Sequence, residues 1–323
     1  MLAGSIVAKG QIELIEAPEP ELVTPPPGEP GDIIFQPHHA CLCGSDLPFF
    51  CGPQESYPLQ IGLSLHEMVG TVIETSGSKF KKGDQVLAVP VQQVGFFGRF
   101  RVSEARTIPL DPRKPPEVAM LAQPLGTVLY GLKKVPTYLD QDVAVVGQGP
   151  IGQMFCAALR NLGARRIIAI DPLASRLAMS PRMGATHVID SSSLDPREEV
   201  ARITDGASVD IVIEAVGHEN QALDLCTDLC REKGTILFFG VPNEVIDGVH
   251  WRKLFMKNLT VRTTVHPDFE RDFPLAMQWI SEDRIDLSPL LTHHFPVGQI
   301  QEAFEMFRDK TDGCLKVHLT FPD

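Results

Sequence analysis

The sequence lacks three features that would place it on a membrane or on nucleic acid. No apolar run approaches the roughly 20 residues that span a bilayer. No run of lysine or arginine occurs, and the formal net charge of the 323 residues is −12, so a duplex or an anionic lipid surface would be repelled. The N-terminal stretch also lacks the charged start and apolar core of a secretory signal. We therefore expect a cytoplasmic protein that binds neither nucleic acid nor membrane.

Cysteines are few and are not spaced as a disulfide framework. There are seven, an odd number, and cytosolic thiols stay reduced. Cys41 and Cys43, in "ACLCGSD" (40–46), are one residue apart and poorly placed to bridge each other. A disulfide at Cys43 is therefore disfavoured. The residue could be a metal ligand or simply a small buried side chain.

The composition of the chain and its pattern of apolar residues change twice. Up to about residue 138 it is rich in proline, glycine and short β-type runs such as "DIIFQPHHACL" and "GTVIET". Apolar strands then alternate with helix-length segments, including 173–184 and 220–234, which predicts a parallel sheet covered on both faces. Mixed patterns return after 267, with an amphipathic segment at 296–308. We predict an α/β chain with domains 1–138 and 139–267, followed by a return to the first domain over 268–323.

A glycine-rich segment, "VAVVGQGPIGQMF" (143–155), has the G-x-G-x-x-G spacing between a strand and a helix. Gly147 permits the tight turn, Gly149 lets a pyrophosphate approach the backbone, and Gly152 lets the helix pack on the strand. Pro150 has no backbone N–H group, but at the start of a helix that group would have no acceptor within the helix. The pattern indicates a dinucleotide site. Its alternative is a glycine-rich turn that binds nothing.

The next predicted strand ends in Asp171, 24 positions after Gly147. A carboxylate there can accept hydrogen bonds from the adenosine ribose hydroxyls and would repel the extra phosphate of NADP. No basic residue immediately follows it. These features favour NAD, although Asp171 could instead be an ordinary turn residue.

A second candidate site involves His66 and Glu67, which follow Cys43 by 23 and 24 positions. This separation fits no zinc finger, whose ligands come in close pairs. It suits a catalytic zinc whose thiolate, imidazole and carboxylate ligands come from different loops. Asp46 could orient the imidazole of His66. Residue by residue, a buried cysteine and a structural histidine remain open alternatives. His38, His39, His266, His293 and His294 have no useful spacing, and most are expected to be structural or exposed.

In combination, "CGSD", "HE..G.V" and the strand–GxGPIG–helix unit ending in an aspartate resemble the zinc-dependent medium-chain dehydrogenases. The sorbitol and threonine dehydrogenase branch is the most similar, and the resemblance covers nearly the whole chain. It implies a GroES-like, mostly-β catalytic domain split around a doubly wound Rossmann domain. It also implies NAD-linked oxidation of an alcohol or polyol, a homo-oligomer (dimer or tetramer), and zinc held by Cys43, His66 and Glu67.

The same resemblance implies further roles. Ser45 would take the substrate proton, Phe49 would line the substrate pocket, and Gln123 would lie beside the metal; Ser45 could instead cap a turn. The further positions implied to contact the cofactor are Ile151, Arg176, Phe239, Gly240, Val241, Thr263, Thr264 and Val265.

The chain departs from the family pattern at three positions. Leu65 stands where glycine is usual, Pro48 replaces a histidine of the proton relay, and Gln123 replaces a glutamate. No cysteine lies between Cys51 and Cys156, so the lobe that holds a structural zinc in many relatives is missing and a second zinc is excluded. The departures leave two alternatives: a zinc-free NAD(P)H reductase and a non-catalytic NAD-binding protein.

Overall fold

The computed structural model describes residues 1–26, 28–217 and 221–322. The strands are β1 Leu2–Ala8, β2 Gln11–Glu16, β3 Asp32–Cys41, β4 Glu67–Thr75, β5 Gln85–Ala88, β6 Phe100–Ser103, β7 Thr107–Pro109, β8 Asp142–Val146, β9 Arg166–Asp171, β10 His187–Asp190, β11 Val209–Glu214, β12 Cys230–Phe238, β13 Thr260–Thr263, β14 Leu291–Pro296 and β15 Lys316–Thr320. The α-helices are α1 Leu47–Phe50, α2 Pro116–Ala119, α3 Ala122–Leu132, α4 Pro150–Asn161, α5 Ala174–Leu177, α6 Pro196–Ile203, α7 Ala222–Leu229, α8 Trp251–Met256, α9 Asp272–Ser281 and α10 Ile300–Asp309. None of these helices is long and apolar enough to cross a membrane.

The chain forms two compact units, Met1–Pro124 with Asp268–Asp323, and Leu125–Pro267. The first is built on a seven-stranded sheet in the order β14-β15-β3-β4-β5-β7, with β6 paired to β3. Apolar side chains that include Phe35, Phe50 and Phe304 are buried in its core, and this burial is the main stabilising term. The same pairing places the end of β3 beside the start of β4, where Cys41 is opposite Glu67.

The second unit contains a six-stranded sheet in the order β10-β9-β8-β11-β12-β13, with all neighbouring strands parallel. All five residues of β8 are buried, as a strand covered on both faces requires. The strand order reverses between β8 and β11, and ligands of doubly wound sheets bind at such a switch point. The predicted parallel sheet is confirmed.

Residues 125–138 belong to the second unit, although the sequence pattern predicted that they belong to the first domain. They follow the start of α3, and the reason is visible at Gly131. A Cβ there would lie 3.3 Å from the side chains of Phe239 and Thr264, both in the second unit. The close approach of α3 to these residues assigns the segment to the second unit.

Two predicted helices are shorter than expected. The helix predicted over 220–234 ends at Leu229, and Asn220 lies outside the described residues. Its end is capped by Lys257, whose Nζ donates to the carbonyls of Thr227 (2.8 Å), Asp228 (3.0 Å) and Cys230 (2.7 Å). The segment 173–184 contains only the short helix α5 and then turns. It contains Pro181, which lacks the amide that a continuing helix needs.

Three histidines form a hydrogen-bonded row across β14, β15 and β3. His318 is 4% exposed. Its Nε2 lies 2.9 Å from Nδ1 of His39, and its Nδ1 lies 2.9 Å from Nδ1 of His294. Burial, together with the neighbouring His39 and His294, lowers the pKa of His318 to about 4. Burial also lowers the pKa of His39, against an opposing contribution from Glu117. The folded protein therefore resists protonation of His318 and His39.

We expect His318 to make the fold sensitive to mild acid. Its pKa is lower in the folded state than in the unfolded state (~6.5), so the unfolded chain binds a proton more readily and stability falls as the pH falls from about 6.5 towards 4. The loss from this residue should be about 2 kcal/mol between about pH 7 and pH 5. Urea unfolding at the two values measures it. His318→Gln should flatten the pH dependence, and an unchanged slope in that variant would contradict the assignment.

Candidate functional site

The three predicted metal ligands meet at one edge of the first unit's sheet. Because β3 ends opposite the start of β4, Cys43 lies just beyond one strand while His66 and Glu67 lie at the beginning of the other. One ligand atom from each lies within 4.8 Å of the other two. Glu67 is fully buried, and Cys43 and His66 are half-buried. A thiolate, an imidazole and a carboxylate in this arrangement are a donor set that zinc accepts.

Asp46 joins the two segments that carry these ligands. It is fully buried. Its Oδ2 accepts a hydrogen bond from the amide of Cys43 (2.7 Å), and its Oδ1 accepts bonds from Oγ of Ser64 (2.9 Å) and the amide of Leu65 (3.0 Å). The nearest approach to His66 is 4.0 Å, from Oδ1 to Nδ1, which is too long for a hydrogen bond. Asp46 therefore orients the backbone of both segments rather than the imidazole directly.

The backbone just before His66 has an unusual conformation. Ser64 and Leu65 have φ angles of 120° and 60°, in the region that glycine tolerates and bulky L-residues rarely adopt. Both residues are fully buried. The resemblance had identified Leu65 as a substitution for the usual glycine, and the structure shows that this position does require a left-handed backbone.

Lys316 is a site residue that the sequence did not reveal. Its Nζ lies 2.6 Å from Oε2 of Glu67 and 3.1 Å from the carbonyl oxygen of Leu42, and its side chain is almost completely buried. Burial raises the pKa of Glu67 to about 8, and the ammonium of Lys316 opposes that shift. We describe the pair as ionic, because two buried groups of opposite charge at this distance stabilise each other's charged form. The available signal was a lysine inside the apolar strand "CLKVHLTF".

Several buried polar atoms at the site lack a partner among the described residues: Oγ of Ser45, Nδ1 of His66 and Oε1 of Glu67. Buried polar atoms are normally hydrogen-bonded or bound to an ion. A metal ion and a polar ligand would complete this set, so the residues fit the zinc that the donor types indicate. They would hold it through Cys43, His66 and Glu67.

The remaining predicted residues near the metal are placed as follows. Ser45 lies in a short 3-10 helix directly after Cys43. Phe49, in α1, is half-buried against the core of the first unit, and its carbonyl accepts a hydrogen bond from Tyr57 (2.9 Å). Gln123 is buried in α3. Pro48 is exposed and has no side-chain group that could carry a proton.

We expect Lys316→Met to destabilise the metal-free protein by about 3–5 kcal/mol, because it leaves the buried carboxylate of Glu67 without its partner. Zinc should restore part of the loss, since a cation near Glu67 replaces the missing positive charge. Urea unfolding in chelator and in excess zinc measures both values. Lys82→Met, which removes an exposed lysine, is the control. A loss no larger than that of Lys82→Met would contradict the pairing, and an equal loss with and without zinc would contradict the placing of zinc beside Glu67.

In the second unit, the three glycines of the loop between β8 and α4 meet different surroundings. Gly147 has φ 93°, and a Cβ there would lie 2.8 Å from the carbonyl oxygen of Ala215. A Cβ at Gly152 would lie 1.8 Å from the carbonyl oxygen of Gly147. A Cβ at Gly149, in contrast, would come no closer than 3.9 Å to any atom, at the guanidinium of Arg176. Gly147 and Gly152 are therefore required by the fold, whereas Gly149 borders open space that a phosphate could occupy.

Asp171 and Arg176 lie together beside this loop. Oδ2 of Asp171 accepts a hydrogen bond from the amide of Gln148 (2.7 Å), and its Oδ1 accepts one from the amide of Leu173 (2.8 Å). Nη1 of Arg176 is 3.6 Å from Oδ2. Each carboxylate oxygen has a further lone pair, so ribose hydroxyls could still bind. Arg176, which the resemblance implies at the cofactor, thus lies beside Asp171, although neither of the two residues that directly follow Asp171 is basic.

Glu214 organises the carboxyl ends of β11 and β12. Its Oε1 accepts hydrogen bonds from the amides of Val216 and Gly217, and its Oε2 accepts one from the amide of Gly240, each 2.9 Å long. The other cofactor positions implied by the resemblance are placed in α4 (Pro150, Ile151), after β12 (Phe239, Gly240, Val241), at the end of β13 (Thr263) and directly after it (Thr264, Val265). They lie at or just after the carboxyl ends of parallel strands, where doubly wound sheets bind ligands.

We expect Gly149→Ala and Gly152→Ala to fail in different ways. Alanine at 149 makes only an ordinary 3.9 Å contact with Arg176, so the variant should fold with nearly unchanged stability. It should bind NADH at least tenfold more weakly, because the methyl group occupies the space next to the backbone amides. Alanine at 152 would collide with backbone and should destabilise the fold by several kcal/mol. Thermal unfolding and NADH fluorescence titration separate the two effects. Unchanged NADH affinity in a folded Gly149→Ala variant would contradict this use of the loop.

Comparisons with known proteins agree with this geometry. A model of the alcohol dehydrogenase GroES-like domain matches residues 29–105, and a model of the zinc-binding dehydrogenase family matches residues 150–282. L-threonine 3-dehydrogenase of Bacillus subtilis is 26% identical, with 95% of this chain and 94% of the relative covered. An alcohol dehydrogenase from Thermus sp. ATN1 has a TM-score of 0.86 at 26% identity, with all of both chains covered. The 2R,3R-butanediol dehydrogenase of Bacillus subtilis, at 22% identity and a TM-score of 0.82 over at least 99% of both chains, shares the fold.

The first unit thus has a GroES-like domain and the second a doubly wound sheet, as the sequence predicted. The chain belongs to the zinc-dependent medium-chain dehydrogenase family.

Proposed function

We propose that this protein oxidises an alcohol or polyol to the carbonyl compound by hydride transfer to NAD, with one zinc ion held by Cys43, His66 and Glu67. The observation that carries the proposal is the convergence of these three ligand atoms within 4.8 Å. The names of the similar proteins, which include a threonine and a butanediol dehydrogenase, support an alcohol as the substrate class. A cytoplasmic location is part of the proposal and is supported by the seven cysteines, all of which are free.

When bound, zinc supplies a Lewis acid that polarises the substrate hydroxyl, and NAD accepts the hydride. The protein's own groups handle the proton and the positions of the reactants. Ser45 presents a buried hydroxyl oxygen without a partner; it accepts the hydrogen bond of the substrate hydroxyl and, as that proton transfers, releases its own proton to water. Asp46 holds the segments of Cys43 and His66 together. In the proposed site, Phe49 forms part of the wall of the substrate pocket. Gln123 lies beside the metal as an uncharged side chain.

A single zinc per chain is also proposed. Among the described residues, the group of Cys43, His66 and Glu67 is the one set of three or more histidine, cysteine or acidic side chains whose ligand atoms converge. Cys51 and Cys156, which bound the cysteine-free stretch of the sequence, do not belong to it. This supports one catalytic zinc without a structural one.

The decisive experiment combines elemental analysis with an activity screen. Protein purified without chelator should contain one zinc per chain and should reduce NAD with one or more alcohols or polyols. Cys43→Ser and His66→Ala should each lose zinc and at least a hundredfold in kcat/KM. Cys51→Ser, at another half-buried cysteine, should keep both. Activity without zinc would instead favour a zinc-free reductase, and NADH binding without any turnover would favour a non-catalytic protein. NADH should bind more tightly than NADPH.

We further propose that the chain forms a homo-oligomer through the free edge of the parallel sheet. All four residues of the edge strand β13 are exposed, and the adjoining α8 exposes Trp251 (68%), Phe255 (71%) and Met256 (62%). An exposed strand edge next to exposed apolar side chains is a pairing surface, and two copies of one edge strand can pair antiparallel to each other about a twofold axis. Phe255→Glu should shift the sedimentation coefficient towards the monomer, whereas Val91→Glu, an exposed apolar control, should not.

A further inference from the structure

The segment before His66 is held in its conformation by three separate restraints. The first is Asp46, which accepts hydrogen bonds from Oγ of Ser64 and the amide of Leu65. The second is the turn near residue 94. There the amide of Ser64 donates to the carbonyl of Gln93 (2.7 Å), and the amide of Gly95 donates to the carbonyl of Ser64 (3.2 Å). The third is the side chain of Leu65, which is fully buried in the apolar core of the first unit.

These restraints oppose a backbone preference. A leucine at φ 60° pays a steric penalty between its Cβ and the backbone that glycine avoids. Released from its surroundings, the segment would return to an ordinary backbone region and turn His66 away from its present direction. Such strained residues persist only where the surrounding structure over-determines them. The hydrogen bonds to Asp46 and to the turn use backbone atoms and Ser64, so they do not depend on the identity of residue 65. The contribution specific to Leu65 is its buried side chain.

We propose that Leu65 is a positioning residue for the metal centre: its buried side chain anchors the left-handed backbone that directs His66 towards Cys43 and Glu67. The inference rests on the proposed zinc site, and it concerns how this chain builds the site with a leucine at a position whose conformation suits glycine. The anchor and the strain act on the same residue, so they can be separated by changing the side chain.

The alternative explanation is that Leu65 is an ordinary core residue. In that case its truncation would cost stability as at any other buried leucine and would leave the affinity for zinc unchanged. Leu319 is the matched control, because it is also fully buried in the same core but lies in β15 with an ordinary backbone. The two explanations therefore predict different zinc affinities at similar losses of stability.

The test is the zinc dissociation constant of the full-length protein, measured by competition with a chromophoric chelator. Leu65→Ala removes the anchor and keeps the strain, so zinc should bind at least tenfold more weakly. Leu65→Gly removes both and should recover most of this loss, to within about threefold of the wild type. Leu319→Ala should stay within twofold of the wild type. The visible absorption bands of the cobalt(II) protein should change in Leu65→Ala and not in Leu319→Ala.

Several outcomes would overturn the inference: wild-type zinc affinity in Leu65→Ala, an equal change in Leu319→Ala, or no recovery in Leu65→Gly. If Leu65→Ala does not fold, Leu65→Val and Leu319→Val replace the pair. Valine retains most of the buried volume but tolerates the left-handed region less well, so only the substitution at 65 should weaken zinc binding. Wild-type protein that binds no zinc would refute the proposed function itself, whereas wild-type zinc binding with unaffected Leu65 variants would refute only this inference.

Discussion

The candidate metal site depends on one buried carboxylate, that of Asp46. Cys43 follows β3 and His66 precedes β4, so sheet pairing brings the two segments near each other without defining the direction of either ligand. The three hydrogen bonds that Asp46 accepts, from Cys43, Ser64 and Leu65, supply that direction. A buried carboxylate destabilises the fold unless it accepts hydrogen bonds. Loss of any one of these three donors would therefore destabilise the segments of both ligands. Asp46 is thus one of the restraints that hold Leu65 in its left-handed conformation.

Charge balance at the same edge of the sheet comes from Lys316. Without a metal, Glu67 has this one cation at 2.6 Å. With a zinc ion bound, the carboxylate would face two cations, and the thiolate of Cys43 would offset one of them. The ammonium group thus allows the site to remain folded before a metal ion binds. After binding, the same group offsets part of the negative charge of Glu67 that attracts the metal.

The features that could be predicted from the sequence are those set by local pattern. The glycine loop is such a feature, because the roles of Gly147 and Gly152 follow from a turn and a helix that are adjacent in the chain. Cys43, His66 and Glu67 were predicted to lie together because their side chains are zinc ligands and the motifs around them resemble those of one family. The parallel sheet followed from strands that are apolar on both faces, such as β8.

The features that could not be predicted depend on partners far along the chain. Lys316 reaches Glu67 across 249 positions, and the alternation of β15 does not tell which of its faces is covered. The end of α7 at Leu229 depends on Lys257, which caps it from a later element. The row from His39 to His294 exists only because three strands distant in sequence are neighbours in the sheet. Arg176 lies beside Asp171 only after the turn between them has formed.

The central claim is that Cys43, His66 and Glu67 bind one zinc ion together. X-ray absorption at the zinc edge of the protein as purified tests it most directly, since sulfur is distinguished from nitrogen and oxygen among the ligands. We expect one sulfur per zinc, with nitrogen or oxygen for the remaining ligands, and loss of the bound zinc itself in Cys43→Ser. A zinc with no sulfur ligand, or with two or more, would contradict it.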